Sequence, residues 1–152
     1  MRRENMRKIL NYVFAYLFLA VTGAFGFYVI FLEGRRFFFT VLGLTNARVQ
    51  TINAVDKFVV IVLGIVFLGV FMFSEDYFRK KAKDGVRDLL RAFLMVSGML
   101  MLVWSGFQSP FFFSVGYRLG ASEIIGYFSK LITGGLLLVS SRYLRSERLH
   151  TI

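Results

Sequence analysis

The sequence predicts an all-α integral membrane protein, with four transmembrane helices packed as an antiparallel bundle. Four long apolar stretches, at about 9–32, 58–73, 89–107 and 124–139, are separated by short charged segments. The mean hydropathy is +0.63 with 57% hydrophobic residues, outside the range of soluble domains. Thirteen of the nineteen Lys and Arg residues fall in alternate segments, as the positive-inside rule requires.

A bilayer's hydrocarbon layer needs about 20 apolar residues per helix, roughly 17 to 25. The stretch 9–32 meets this alone. A signal-peptide core spans only about 7 to 15 residues, and no A-x-A site follows, so this reads as a retained first span. The second stretch reaches span length as 54–73, and the fourth as 124–144. The residues added are of the kind that snorkel or sit at interfaces. Pro110, just past the third stretch at 89–107, is expected to help end that helix. The whole chain, 1–152, reads as one transmembrane domain without linker or low-complexity tract.

Lys83-Asp84-Gly85 offers a helix stop and a fresh start, because glycine tolerates the left-handed conformation just past a helix. Thr45 and Ser122 are expected to N-cap the second and fourth helices.

The net charge is +10, which invites a nucleic-acid reading, but its placement argues against one. Arg2, Arg3, Arg7 and Lys8 precede the first span; Arg79, Lys80, Lys81, Lys83, Arg87 and Arg91 lie between the second and third; Arg142, Arg145 and Arg148 follow the fourth. Counting acids, these segments net +7, against +2 for the segments holding Arg35, Arg36, Arg48, Lys57 and Arg118. Both termini are therefore expected in the cytoplasm, with the chain in a prokaryotic plasma membrane. Arg79, Lys80, Lys81, Lys83 and Arg87 would contact anionic headgroups, at about 1 kcal/mol per cation.

Two aromatic triplets, Phe37-Phe38-Phe39 and Phe111-Phe112-Phe113, lie at the opposite side. Aromatic clusters at span edges anchor at headgroup level, and the alternative is a surface for a partner protein. The triplets also raise a second architecture, one helical hairpin used twice. Lys57 follows Phe37 by 20 residues and Lys130 follows Phe111 by 19, although among 19 phenylalanines a chance match is easy.

Lys130 is the one cation inside a span. A lysine at a helix centre costs about 2.5 to 3.5 kcal/mol on insertion scales, so it either snorkels or faces protein. Helical spacing puts Gly126, Lys130, Thr133, Leu137 and Ser140 on one small-polar face, opposite Ile125, Phe128, Ile132 and Leu136. Asp56 and Glu123 are the candidate charge partners within the chain, and a carboxylate on another subunit is the alternative. Similar seams run through Asn11, Ala15, Thr22 and Gly26, and through Ser97, Met101, Ser105 and Gln108. The second helix, with Gly64 and Gly69 as the small residues of its apolar run, reads as the most lipid-exposed.

No residue set points to catalysis. The chain lacks cysteine and has a single histidine, His150, so thiolate and bis-histidine sites cannot be built from it. Walker, dinucleotide and nucleophile-elbow motifs are missing. Glu75 and Asp76, as helix neighbours, diverge, and pair more naturally with Arg79 or Lys80. The expectation is no enzyme, no metal and no cofactor. The chain reads as an accessory or scaffolding subunit of a larger membrane complex or a homo-oligomer, whose partners are the bilayer and other subunits or itself. The alternative is a small oligomeric transporter or channel with Lys130 in its ion path.

Overall fold

A computed structural model describes residues 2–45, 49–115 and 120–146. Within them the chain is helical almost throughout: α1 (Arg2–Phe27), a π-helical turn (Tyr28–Glu33), α2 (Gly34–Leu44), α3 (Val49–Asp84), α4 (Val86–Val115) and α5 (Ala121–Ser146). Four segments are long and apolar enough to cross a membrane: Met6–Leu44, Ile52–Asp84, Val86–Ser114 and Ala121–Leu144. Arg48, Arg118, Arg148 and His150 lie outside the described residues.

The elements are longer than the apolar runs that predict them. Helical structure continues past Leu32 to Leu44 because the charges beyond it find partners on the helix itself and on its neighbours. Pro110 does not end α4, which runs on to Val115. A proline strands the carbonyl four residues back. Here that carbonyl belongs to Gly106, and the Ser109 hydroxyl donates to it at 2.7 Å. Such local repair is how membrane helices tolerate proline.

The turn at Gly85 is as the sequence predicts, with φ +117° and one non-helical residue between α3 and α4. The Leu89 N–H donates to the Gly85 carbonyl at 3.1 Å, and Asn11 of α1 donates to the Ala82 carbonyl at 3.2 Å, an acceptor that the end of α3 leaves open. The two expected N-caps act otherwise. The Thr45 hydroxyl donates to the Leu42 carbonyl at 2.8 Å, closing α2 rather than opening α3. Gly120 precedes α5, and Glu123 reaches back to accept from its N–H at 3.3 Å, so Ser122 sits inside the first turn.

The main core lies at the Gly85 end, where α1, α3 and α4 meet through Ala15, Leu19, Phe78, Ala82, Leu89 and Ala92. Phe18 stacks on Phe93 at 4.6 Å beside it. A smaller cluster of Ile30, Val59 and Leu63 lies toward the other end. Large apolar side chains such as Phe58, Ile65, Phe73, Ile125, Ile132 and Leu136 remain exposed, the reverse of a soluble surface.

α5 packs chiefly on α4. Its apolar window is 11% buried against 17% for α3, so α5, and not the second span, is the more exposed helix. Their contact depends on two glycines. A Cβ at Gly98 would lie 3.0 Å from the Gly134 carbonyl oxygen and 3.0 Å from Leu138; one at Gly134 would lie 3.2 Å from the Gly98 carbonyl oxygen. Because each of these contacts includes a carbonyl oxygen of the facing backbone, a larger side chain would push the two helices apart. Gly98→Val or Gly134→Val is therefore expected to destabilise the fold by about 1–3 kcal/mol. Gly69→Ala, where nothing lies within 4 Å of the added atom, should be neutral or slightly stabilising. Unfolding in mixed detergent measures all three.

Candidate functional site: a buried carboxylate network beside an aromatic cleft

The π turn sets the site's geometry. The Gly34 N–H reaches back to the Val29 carbonyl, five residues earlier. In an α-helix, residues five apart diverge by about 140°. The wider turn brings Tyr28 and Glu33 together, and the Tyr28 hydroxyl donates to Glu33 Oε1 at 3.1 Å. Arg36, one turn on, donates from Nη1 to the same oxygen at 3.1 Å. From α4, Gln108 Nε2 approaches Oε2 at 3.5 Å. The Glu33 side chain is 4% exposed and its paired Arg36 75% exposed, so the ion pair runs from the interior to the surface.

Gln108 extends the network to α5, where Lys130 Nζ donates to its Oε1 at 2.9 Å. The Lys130 ammonium also lies 4.2 Å from the centre of the Trp104 ring. A half-buried cation–π contact of this kind is worth about 0.5–2 kcal/mol. Tyr28 and Phe25 meet Trp104 edge-on at 5.4 and 5.9 Å. Three polar side chains from three helices are thus joined in one line: Glu33, Gln108 and Lys130.

A cleft of about 670 Å³ opens beside this line, between α2 and α5 with α4 as its floor. Arg36, Gln108 and Lys130, with the carboxylates Glu33 and Glu123, contribute its polar side, and Phe37, Phe39, Phe107, Phe111, Phe112 and Tyr127 its apolar wall. Phe112 stacks on Tyr127 at 4.6 Å and Phe37 meets Phe107 at 5.5 Å. The two aromatic triplets therefore divide their work. Phe38 packs on the Ile30–Leu63 cluster, Phe113 stays 81% exposed, and the others line the cleft. A second, apolar cavity of about 620 Å³ lies between α3 and α4, lined by Val66, Val70, Phe73, Met95, Met99 and Val103.

Neither charge partner named from sequence pairs with Lys130, although Glu123 lines the same cleft. Asp56 is held by Arg35 through two contacts of 2.7 Å, and Glu123 caps α5. Gly126 lines the cleft with Lys130, but Thr133 and Ser140 are exposed, because the buried side of α5 runs through Gly134 and Ser141. At the Gly85 end, Asp76 pairs with Lys80 and Arg79, and Lys81 with Asp84; Lys83 and Arg87 are exposed. Lys57, the counterpart of Lys130 in the two-hairpin reading, is also exposed. The positions matching Trp104 and Gln108 are Ile30 and Gly34, so the first hairpin holds no equivalent site.

Glu33, Tyr28 and Trp104 are site residues that sequence reasoning passed over. Glu33 adjoins Gly34-Arg35-Arg36 and looks like loop; the available signal was its spacing of three from Arg36. Among the described residues no three His, Cys, Asp or Glu side chains group as a metal site. Comparison with protein-family models, curated proteins and solved structures finds no match.

Glu33→Ala strands the Tyr28 hydroxyl and the Gln108 amide, and is expected to destabilise by about 2–3 kcal/mol. Glu33→Gln keeps an acceptor for Tyr28 and should cost less than half of that. Detergent unfolding of the two variants orders them, and equal costs would contradict the network.

Proposed function

We propose that this is a non-catalytic integral membrane protein that works as an accessory or scaffolding subunit, in a larger membrane complex or in a homo-oligomer. Its four long helices cross the bilayer in antiparallel order, with both termini and the Gly85 turn in the cytoplasm. The basic residues around that turn rest on anionic headgroups.

The observation that carries the subunit reading is α5. It rests chiefly on α4 and turns Thr133 and Ser140 outward among Ile132, Leu136 and Val139. Small and hydroxyl residues are enriched where membrane helices meet closely. Thr133→Phe and Ser140→Phe are expected to reduce the mass of the native particle, measured by mass photometry in mild detergent or nanodiscs. A particle of one chain's mass for the unaltered protein would remove the proposal.

The topology has its own test, made clean by the absence of native cysteine. Cysteine at Lys83 should be blocked to an impermeant maleimide added outside intact cells, and cysteine at Lys57 should react. The opposite pattern would reverse the orientation.

A second reading, an oligomeric transporter or channel, is favoured by the cleft over Lys130. On that reading Lys130→Met lowers flux in liposomes while assembly persists. Unchanged flux would exclude it.

A further inference from the structure

The charge inside the cleft is unevenly met. The charge of Glu33 is met by Arg36: Oε1 takes Tyr28 and Arg36, and Oε2 faces Gln108. Lys130 has only the neutral Gln108 amide and the Trp104 ring, and no carboxylate lies within ion-pair distance of it among the described residues. Glu123 also lines the cleft, but it is exposed, so solvent screens its charge, and it turns back to accept from the Gly120 N–H. An ammonium has three donors, and a charge held away from water gains most from an acceptor that carries charge. Arg36 adds further donors on the same cleft, since only its Nη1 is engaged by Glu33. The rest of the wall is mostly aromatic, interrupted by Thr40, Ser122 and Gly126. At about 670 Å³ the space falls within the roughly 300–1,000 Å³ of pockets that take a molecule of drug or lipid-fragment size.

We propose that the cleft binds an amphipathic anion, one acidic head on an apolar body, with the head between Lys130 and Arg36 and the body against Phe37, Phe111 and Phe112. Arg36 and Glu33 offset each other, so the site suits a single negative charge and selects against a dianion. An aliphatic or aromatic body gains burial against the phenylalanines, while a small inorganic anion finds no such term. The site rests on the membrane reading above. That reading fails separately, if the chain is released from membranes by alkaline carbonate.

Trp104 is the chain's sole tryptophan and lies against Lys130, which makes the site its own reporter. The purified chain, in phosphatidylcholine nanodiscs, is titrated with dodecanoate, with dodecanol as the same body lacking charge, and with acetate as the same head lacking a body. The expected result is a saturable change in Trp104 emission with dodecanoate alone. Lys130→Met should abolish it, and Arg36→Gln should weaken it about tenfold, the loss of one charge-assisted contact. Lys130→Arg should retain binding, and Lys57→Met should leave it unaltered. If Lys130→Met does not fold, Arg36→Gln and Lys130→Arg decide. Competition from phosphatidylglycerol in the disc assigns the head to a lipid; its absence assigns the site to a free fatty anion. An equal response to dodecanol, an equal response to acetate, native binding by Lys130→Met, or no saturable change each overturns the proposal.

Discussion

Carrying Glu33 through the interior of a helix that is otherwise apolar is the constraint from which the rest follows. A carboxylate removed from water loses several kcal/mol of hydration and must be compensated locally. A regular α-helix would supply Arg36 from the next turn but would leave Tyr28 on another side. The π turn recovers Tyr28 by widening the helix by one residue, and Gln108 closes the remaining side from α4. Once Gln108 is oriented by Glu33, its carbonyl oxygen points at α5, where only a donor can meet it. Lys130 is that donor. The position of the lysine is thus a consequence of the glutamate two helices away.

The same logic explains what was readable in the sequence. Hydropathy marks the four helices because their apolar character is summed over about 20 residues each, the length a membrane-crossing helix needs. The Gly85 turn was equally legible, since a positive φ demands a residue type. The ends of the helices were not. Glu33, Arg35 and Arg36 read as loop because a single chain does not show that Arg36 will fold back on Glu33 and Arg35 on Asp56. Pro110 read as a terminus because the Ser109 hydroxyl that repairs the Gly106 carbonyl is a local device with no hydropathy signature. Lys130 stood out by its cost, but its partner did not. A search restricted to opposite charges selects Asp56 and Glu123 and overlooks an amide and an indole ring.

The rotation of α5 shows how small an error of phase matters. The face chosen from spacing passes through Gly126, Lys130, Thr133 and Ser140; the face that packs shifts by one residue beyond Lys130, to Gly134 and Ser141. Close approach decides it. A Cβ at position 134 would lie 3.1 Å from Met101 Cβ and 3.2 Å from the Gly98 carbonyl oxygen, so the helix turns to place Gly134 inward. Thr133 and Ser140 are then carried outward, which is why a seam expected inside the chain became a surface.

The two halves of the chain share an aromatic triplet but not a chemistry. Phe37 and Phe111 both reach the cleft, one from its α2 wall and one from its α4 floor, so the resemblance between the triplets has a spatial meaning even where the hairpins diverge. The first hairpin places Gly34 and Ile30 where the second places Gln108 and Trp104, and its lysine, Lys57, remains at the surface. A lysine without an amide acceptor or an aromatic face has nothing to offset its desolvation, and it stays where water or headgroups reach it. Lys130 can sit inside because Trp104 and Gln108 hold it there. The residues that make the lysine tolerable also leave its charge unneutralised, and that residual charge, set beside an aromatic wall, gives the cleft its chemical character.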